Sequence, residues 1–138
     1  MTLRWLTLLM LALAAPAQAA DPVVESDHGI DCARPIGTMD TDLCLSDALS
    51  RADQQLNDAY RQLLPRLDAQ RRDGACSQCT SAQLVDAQRR WIAFRDADCD
   101  LAYAIAADGS GRNQARLDCM IDHTDSRTRR LRALDSEL

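Results

Sequence analysis

The stretch Asp42-Leu43-Cys44-Leu45-Ser46-Asp47-Ala48-Leu49-Ser50-Arg51-Ala52-Asp53-Gln54-Gln55-Leu56-Asn57-Asp58-Ala59-Tyr60-Arg61-Gln62-Leu63-Leu64-Pro65-Arg66-Leu67 decides the fold. Leu45, Leu49, Ala52, Leu56, Ala59, Leu63 and Leu67 recur at steps of three and four, which lines them up on one side of an α-helix. Thr41 or Asp42 is placed to cap its N-terminus. Pro65 lacks a backbone N–H and is expected to kink or terminate the helix near its end. Gly74 closes the segment.

Working outward, residues 73–81 read as a polar loop, with Thr80 or Ser81 able to cap a second helix from about Ala82 to Ala107. Its expected stripe is Val85, Gln88, Ile92, Arg95, Cys99, Ala102 and Ala106, widened by Leu84, Trp91 and Tyr103. Asp108-Gly109-Ser110-Gly111 breaks that pattern. A third helix over roughly 113–135 carries Leu117, Ile121, Thr124, Thr128, Leu131 and Leu134 on one face. No segment alternates with period two, so no strand is expected. Short connections between three long helices predict an all-α antiparallel bundle. Residues 20–40 hold Pro22, Gly29, Pro35 and Gly37 without periodicity and read as an extended N-terminal arm.

Residues 1–19 have the form of a secretory signal peptide. Arg4 supplies the positive start, Trp5 to Ala15 the apolar core, and Ala17-Gln18-Ala19 the cleavage site. The apolar run is too short to span a bilayer, which needs ~20 residues. Residues 20–138 are then expected to form one helical domain in the periplasm or outside the cell. Composition agrees with an acidic globular protein. All 16 basic residues are Arg, the 21 acidic residues are almost all Asp, and the formal net charge is −5. Such a balance offers no electrostatic attraction to nucleic acid or an anionic membrane, and it favours a basic partner.

Six cysteines follow the leader: Cys32, Cys44, Cys76, Cys79, Cys99 and Cys119. An even count behind an export signal reads as a disulfide set. Cys76 and Cys79 form a C-x-x-C before the second helix. Without a βαβ context this reads as a local staple, although a helix N-terminus would also lower a thiol pKa and permit redox chemistry. Folding the helices as hairpins brings Cys32, Cys44, Cys99 and Cys119 to one end. The favoured pairing is Cys32–Cys99 with Cys44–Cys119, each closing more than 60 residues and constraining the unfolded chain by roughly 4 kcal/mol. Cys32–Cys44 with Cys99–Cys119 competes.

Positive signals for catalysis are missing. Asp96, Asp98 and Asp100 alternate along a helix and so do not share a face. They also lack the loop form of a calcium site. Cys76 and Cys79 have no second ligand pair for zinc, and His28 and His123 read as surface residues. No cofactor motif is present. Charges inside the apolar stripes are more informative. Asp53, Arg95 and Arg127 interrupt them, a buried charge must be paired, and the hairpin register brings Asp53 within about a turn of Arg95. These three are expected to form a structural ion-pair network.

The segment Ala52-Asp53-Gln54-Gln55-Leu56-Asn57-Asp58-Ala59-Tyr60 resembles the "A-D-x-x-L-N-x-x-Y" signature of the lysozyme inhibitor LprI-like family. Ala87-Gln88-Arg89-Arg90-Trp91-Ile92-Ala93-Phe94-Arg95-Asp96-Ala97-Asp98-Cys99 resembles its "A-Q-x-x-W-x-x-F/Y-R-D-x-x-C" segment. Cys119 followed by Thr124-x-x-Arg127-x-x-x-Leu131 is similar to its closing motif, and Cys32 and Cys44 match its leading cysteines. The pair Cys76 and Cys79 looks like an addition to a four-cysteine pattern. The resemblance implies a small exported helical protein, not an enzyme, that binds a lysozyme and blocks peptidoglycan hydrolysis. The alternatives are a structural or envelope-stress module that binds another protein, and a thiol-redox protein. For a contact that enters a cleft, the polar turn Asp108, Gly109, Ser110 and Arg112 is the expected element. The loop at Ser77 and Gln78 is its rival.

Overall fold

In the computed structural model, residues 28–138 are described. The expected signal peptide and the first part of the arm lie outside the described residues. Three helices follow in order: α1 (Thr38–Arg72), α2 (Ser81–Ile105) and α3 (Arg112–Ser136). No strand occurs among the described residues, and no helix of the described chain is long and apolar enough to cross a membrane.

The start of α1 differs from the expected cap. The helix begins after Gly37, whose φ of 91° breaks the preceding chain. Thr41 does not cap. Its hydroxyl donates to the Gly37 carbonyl at 2.9 Å, and the Asp40 carboxylate accepts the Ile36 N–H at 3.0 Å. Pro65 does not end the helix, which runs on to Arg72. The proline ring is exposed while Leu63 and Leu67 on either side are held in the interior, so packing outweighs the loss of one backbone bond. Gly74, at φ 78°, supplies the left-handed residue that ends the helix. The start of α2 follows the sequence closely. Thr80 and Gln83 form a reciprocal capping box.

α2 runs antiparallel to both neighbours, yet the principal interface joins α1 to α3, and α1 touches α2 only sparsely. Cross-links show α1 and α3 to be parallel and in register. Asn113 donates to Asp42 at 2.9 Å near their starts. Arg66 pairs with Asp135 at 2.7 Å, and Gln70 bonds the Leu138 carbonyl near their ends. The first and last of these pairs are 71 and 68 residues apart in sequence.

The core is unevenly distributed. Leu56, Ala59, Leu63, Leu84 and Leu131 form its centre, with Tyr60, Leu64, Leu67, Trp91, Leu134 and Leu138 packed around them. All lie in the half of the bundle next to the 73–80 loop. The other half buries few large apolar side chains and two disulfides instead.

The disulfides follow the competing pattern: Cys32–Cys44, Cys76–Cys79 and Cys99–Cys119. The favoured long-range pairing is therefore wrong. The parallel register places Cys44 about one helical turn short of Cys119 along α3. The turn before Gly37 meanwhile returns Cys32 to within 5.6 Å of Cys44, Cα to Cα. All four cysteines do lie toward one end, but a single turn of register decides the partners.

Candidate functional site

Three places gather the residues singled out in the sequence. The first is a polar node at the middle of the bundle. Arg95 on α2 is 9% exposed. Its guanidinium donates to Asp53 of α1 at 3.1 Å, to the buried Thr124 hydroxyl of α3 at 3.1 Å, and to Asp96 at 3.0 Å. Trp91 lies 5.1 Å beneath it. One side chain thus ties all three helices at one level. Thr128 in turn donates its hydroxyl to the Thr124 carbonyl at 2.9 Å.

Arg127 does not belong to this node. Its Nε donates to Gln88 at 3.0 Å, and its guanidinium lies 5.9 Å from the Trp91 ring on the side toward the 73–80 loop. The helical repeat puts Arg127 almost a full turn beyond Thr124, which takes it out of reach of Asp53. Nothing in the node resembles a catalytic set. The basic group is locked by two carboxylates and a hydroxyl, and Asp53 remains 43% exposed at its side chain.

The second place is the α2–α3 turn. Asp108, Gly109, Ser110 and Arg112 are exposed. The Gly109 N–H is held by the Ala106 carbonyl at 3.0 Å. Arg112 lies over the Tyr103 ring at 5.9 Å and reaches the Ala107 carbonyl at 3.5 Å. Neither glycine takes a left-handed conformation, and Gly111 has φ −90°. The turn is therefore a tight continuation of α2, without the unusual angles that its two glycines would permit. Sequence reasoning missed its apolar approach. Phe94, Leu101 and Ile105 are 57%, 58% and 79% exposed on the outer side of α2. Ile92, expected on the inner stripe, also faces outward. Ile36 and Met39 stand exposed near the start of α1, which the Asp42–Asn113 bond fixes beside the same turn. Apolar groups around a polar tip are the usual composition of a protein-binding surface.

The third place is the 73–80 loop, where the Cys76–Cys79 disulfide sits against the α2 cap. The Asp68 carboxylate accepts the Ser81 N–H at 3.0 Å. Hydrogen bonds from the Ser81 backbone and side chain hold its pKa below the ordinary carboxylate value.

His123 pairs with Asp98 at 2.8 Å and packs edge-on against Phe94, and His28 lies 3.8 Å from the buried Asp47. Cys99, Cys119 and His123 lie close together, but the two sulfurs are bonded to each other.

Comparison with known proteins adds the remaining evidence. The family model described as lysozyme inhibitor LprI matches residues 32–131. A protein of Rhizobium meliloti (strain 1021), uncharacterized protein R02472, is 32% identical over 131 residues, covering 91% of this chain and 89% of its own. Uncharacterized protein YecT of Escherichia coli (strain K12) is 31% identical over 144 residues, covering 93% and 88%. No solved structure matches.

Proposed function

This chain belongs to the lysozyme inhibitor LprI family, and from that premise we propose that it binds a lysozyme outside the cytoplasm and blocks peptidoglycan hydrolysis. The family match across nearly the whole helical bundle carries the reading. In this reading residues 1–19 are a signal peptide, and residues 20–138 form a single domain that acts in the periplasm or after secretion. Three disulfides and no free cysteine among the described residues suit such an oxidising compartment. The protein works by occupation and not by catalysis, and needs no cofactor.

The contact surface is the Asp108–Arg112 turn with Ile105, Leu101 and the start of α1. The turn protrudes at the end held by two disulfides. Little ordering entropy is then lost when it enters a cleft. The acidic surface steers a basic enzyme toward it, so inhibition should weaken as salt rises.

Purified protein added to a basic lysozyme in a cell-wall turbidity assay should slow clearing. Ser110→Ala with Arg112→Ala should weaken inhibition at least tenfold at unchanged melting temperature, whereas Ser77→Ala with Gln78→Ala should not. The reverse pattern moves the site to the other end of the bundle. Full clearing at any protein concentration removes lysozyme as the partner, and leaves the exposed side of α2 as a docking face for another envelope protein.

A further inference from the structure

The half of the bundle remote from the α2–α3 turn contains a cavity of about 420 Å³ between the three helices. That is within the size range of small-molecule sites. Leu63 and Leu67 from α1, Leu84 and Ala87 from α2, and Leu134 from α3 give it an apolar lining. The polar residues on it are Thr80, Gln83, Arg127 and Glu137. Thr80 and Gln83 satisfy each other in the α2 cap, and Glu137 faces Arg130 at 4.0 Å.

Arg127 is different. Its Nε is bonded to Gln88 and its guanidinium lies 5.9 Å from the Trp91 ring, but among the described residues its terminal nitrogens meet no acceptor and no carboxylate forms an ion pair with it. Burial, with Arg130 as a lesser contributor, lowers its pKa, yet a guanidinium stays charged at neutral pH. Among the described residues, the other buried or half-buried arginines each have a carboxylate: Arg95 has Asp53 and Asp96, and Arg116 has Asp100. A half-buried charge beside an apolar cavity is costly unless something pairs with it.

We propose that this cavity binds a single-chain aliphatic carboxylate, its tail among the leucines and its head on the terminal nitrogens of Arg127. The planar fork matches a carboxylate. A single guanidinium with Glu137 nearby disfavours a head of higher negative charge. The site is independent of the lysozyme reading, since it lies at the opposite end of the bundle from the α2–α3 turn.

Decanoate titrated into the purified protein by calorimetry should bind saturably at one site. Decanol and decyltrimethylammonium, with the same tail and a neutral or cationic head, should bind at least tenfold more weakly. Arg127→Gln should lose at least tenfold in decanoate affinity, and Arg127→Lys, which keeps the charge but not the fork, should fall between it and the wild type. Ala87→Phe, at an exposed position on the lining, should abolish binding while leaving the melting temperature unchanged. No saturable binding of decanoate to the wild type overturns the proposal. So does equal affinity of decanoate and decanol, which would make the cavity a crevice that takes any chain. Equal decanoate affinity of wild type and Arg127→Gln overturns the assigned head contact.

Discussion

The two ends of this bundle are stabilised by different physics. Toward the 73–80 loop, leucines from all three helices meet around Leu63 and Leu131, and the local disulfide Cys76–Cys79 spans only three residues. Toward the α2–α3 turn, large apolar side chains give way in the interior to Asp47, with Arg95 and Thr124 marking the middle of the bundle. There the Cys99–Cys119 bond crosses between helices with a separation of 20 residues. A chain with only 4% aromatic residues cannot fill a bundle this long with bulky side chains. It builds a leucine core at one end and holds the other by covalent links, with one shared guanidinium between them.

The sharpest way to break this contrast is to weaken each end in turn. Leu63→Ala should cost about 3 kcal/mol, through lost burial and the void left behind. Removing the cross-helix staple with Cys99→Ser and Cys119→Ser should cost about the same, here mostly by freeing the unfolded chain. Removing Cys76 and Cys79 in the same way should cost about half as much, because the closed loop is so short. Urea denaturation of the three variants checks the order. A Cys76/Cys79 variant as unstable as the Cys99/Cys119 variant would erase the distinction between the ends.

A smaller effect is expected at the node between them. Arg95→Ala should cost about 2 kcal/mol, since it strands the buried Thr124 hydroxyl and two carboxylates. Asp53→Ala should cost at most about 1 kcal/mol, because that carboxylate is largely solvated. Equal losses for the two variants, read by thermal melting, would mean that Asp53 is a full partner in the interior.

The subtlest expectation concerns Asp68 at the leucine end. Its pKa is lowered in the folded state. The stability it contributes is therefore fully present above the unfolded value of about 3.9, and is lost as pH falls through the lower folded value. The gap in melting temperature between wild type and Asp68→Asn should be open at pH 7 and should close in acid. A gap constant from pH 7 to pH 2 would show that the charge on Asp68 is not what matters.

Much of this was legible in the sequence, for identifiable reasons. The three helices follow from apolar spacing, and the cap of α2 from Thr80. Asp53 and Arg95 could be brought together because hairpin folding fixes level to within a turn. The cysteine partners required a finer register than that. A turn of difference separates Cys44 from Cys119, and counting residues cannot see the early start of α1 that returns Cys32. Pro65 misled because local propensity was weighed without the packing on both sides of it. Arg127 misled because its sequence neighbours lie on the same stripe as Thr124, while its guanidinium reaches the next level. The exposed side of α2 was hidden by reading Ile92 as interior.

The parallel pairing of α1 with α3 constrains how the chain can acquire its shape. Synthesis runs from the N-terminus, so α1 is complete while its main partner is still unmade. Until the 25 residues of α3 are available, the leucine face of α1 has only the sparse edge of α2 to meet. α2 and α3, neighbours in sequence, can close as a hairpin with little loss of chain entropy. Of the three described helices, α1 is thus made first and seated last, and α3 decides whether it is seated.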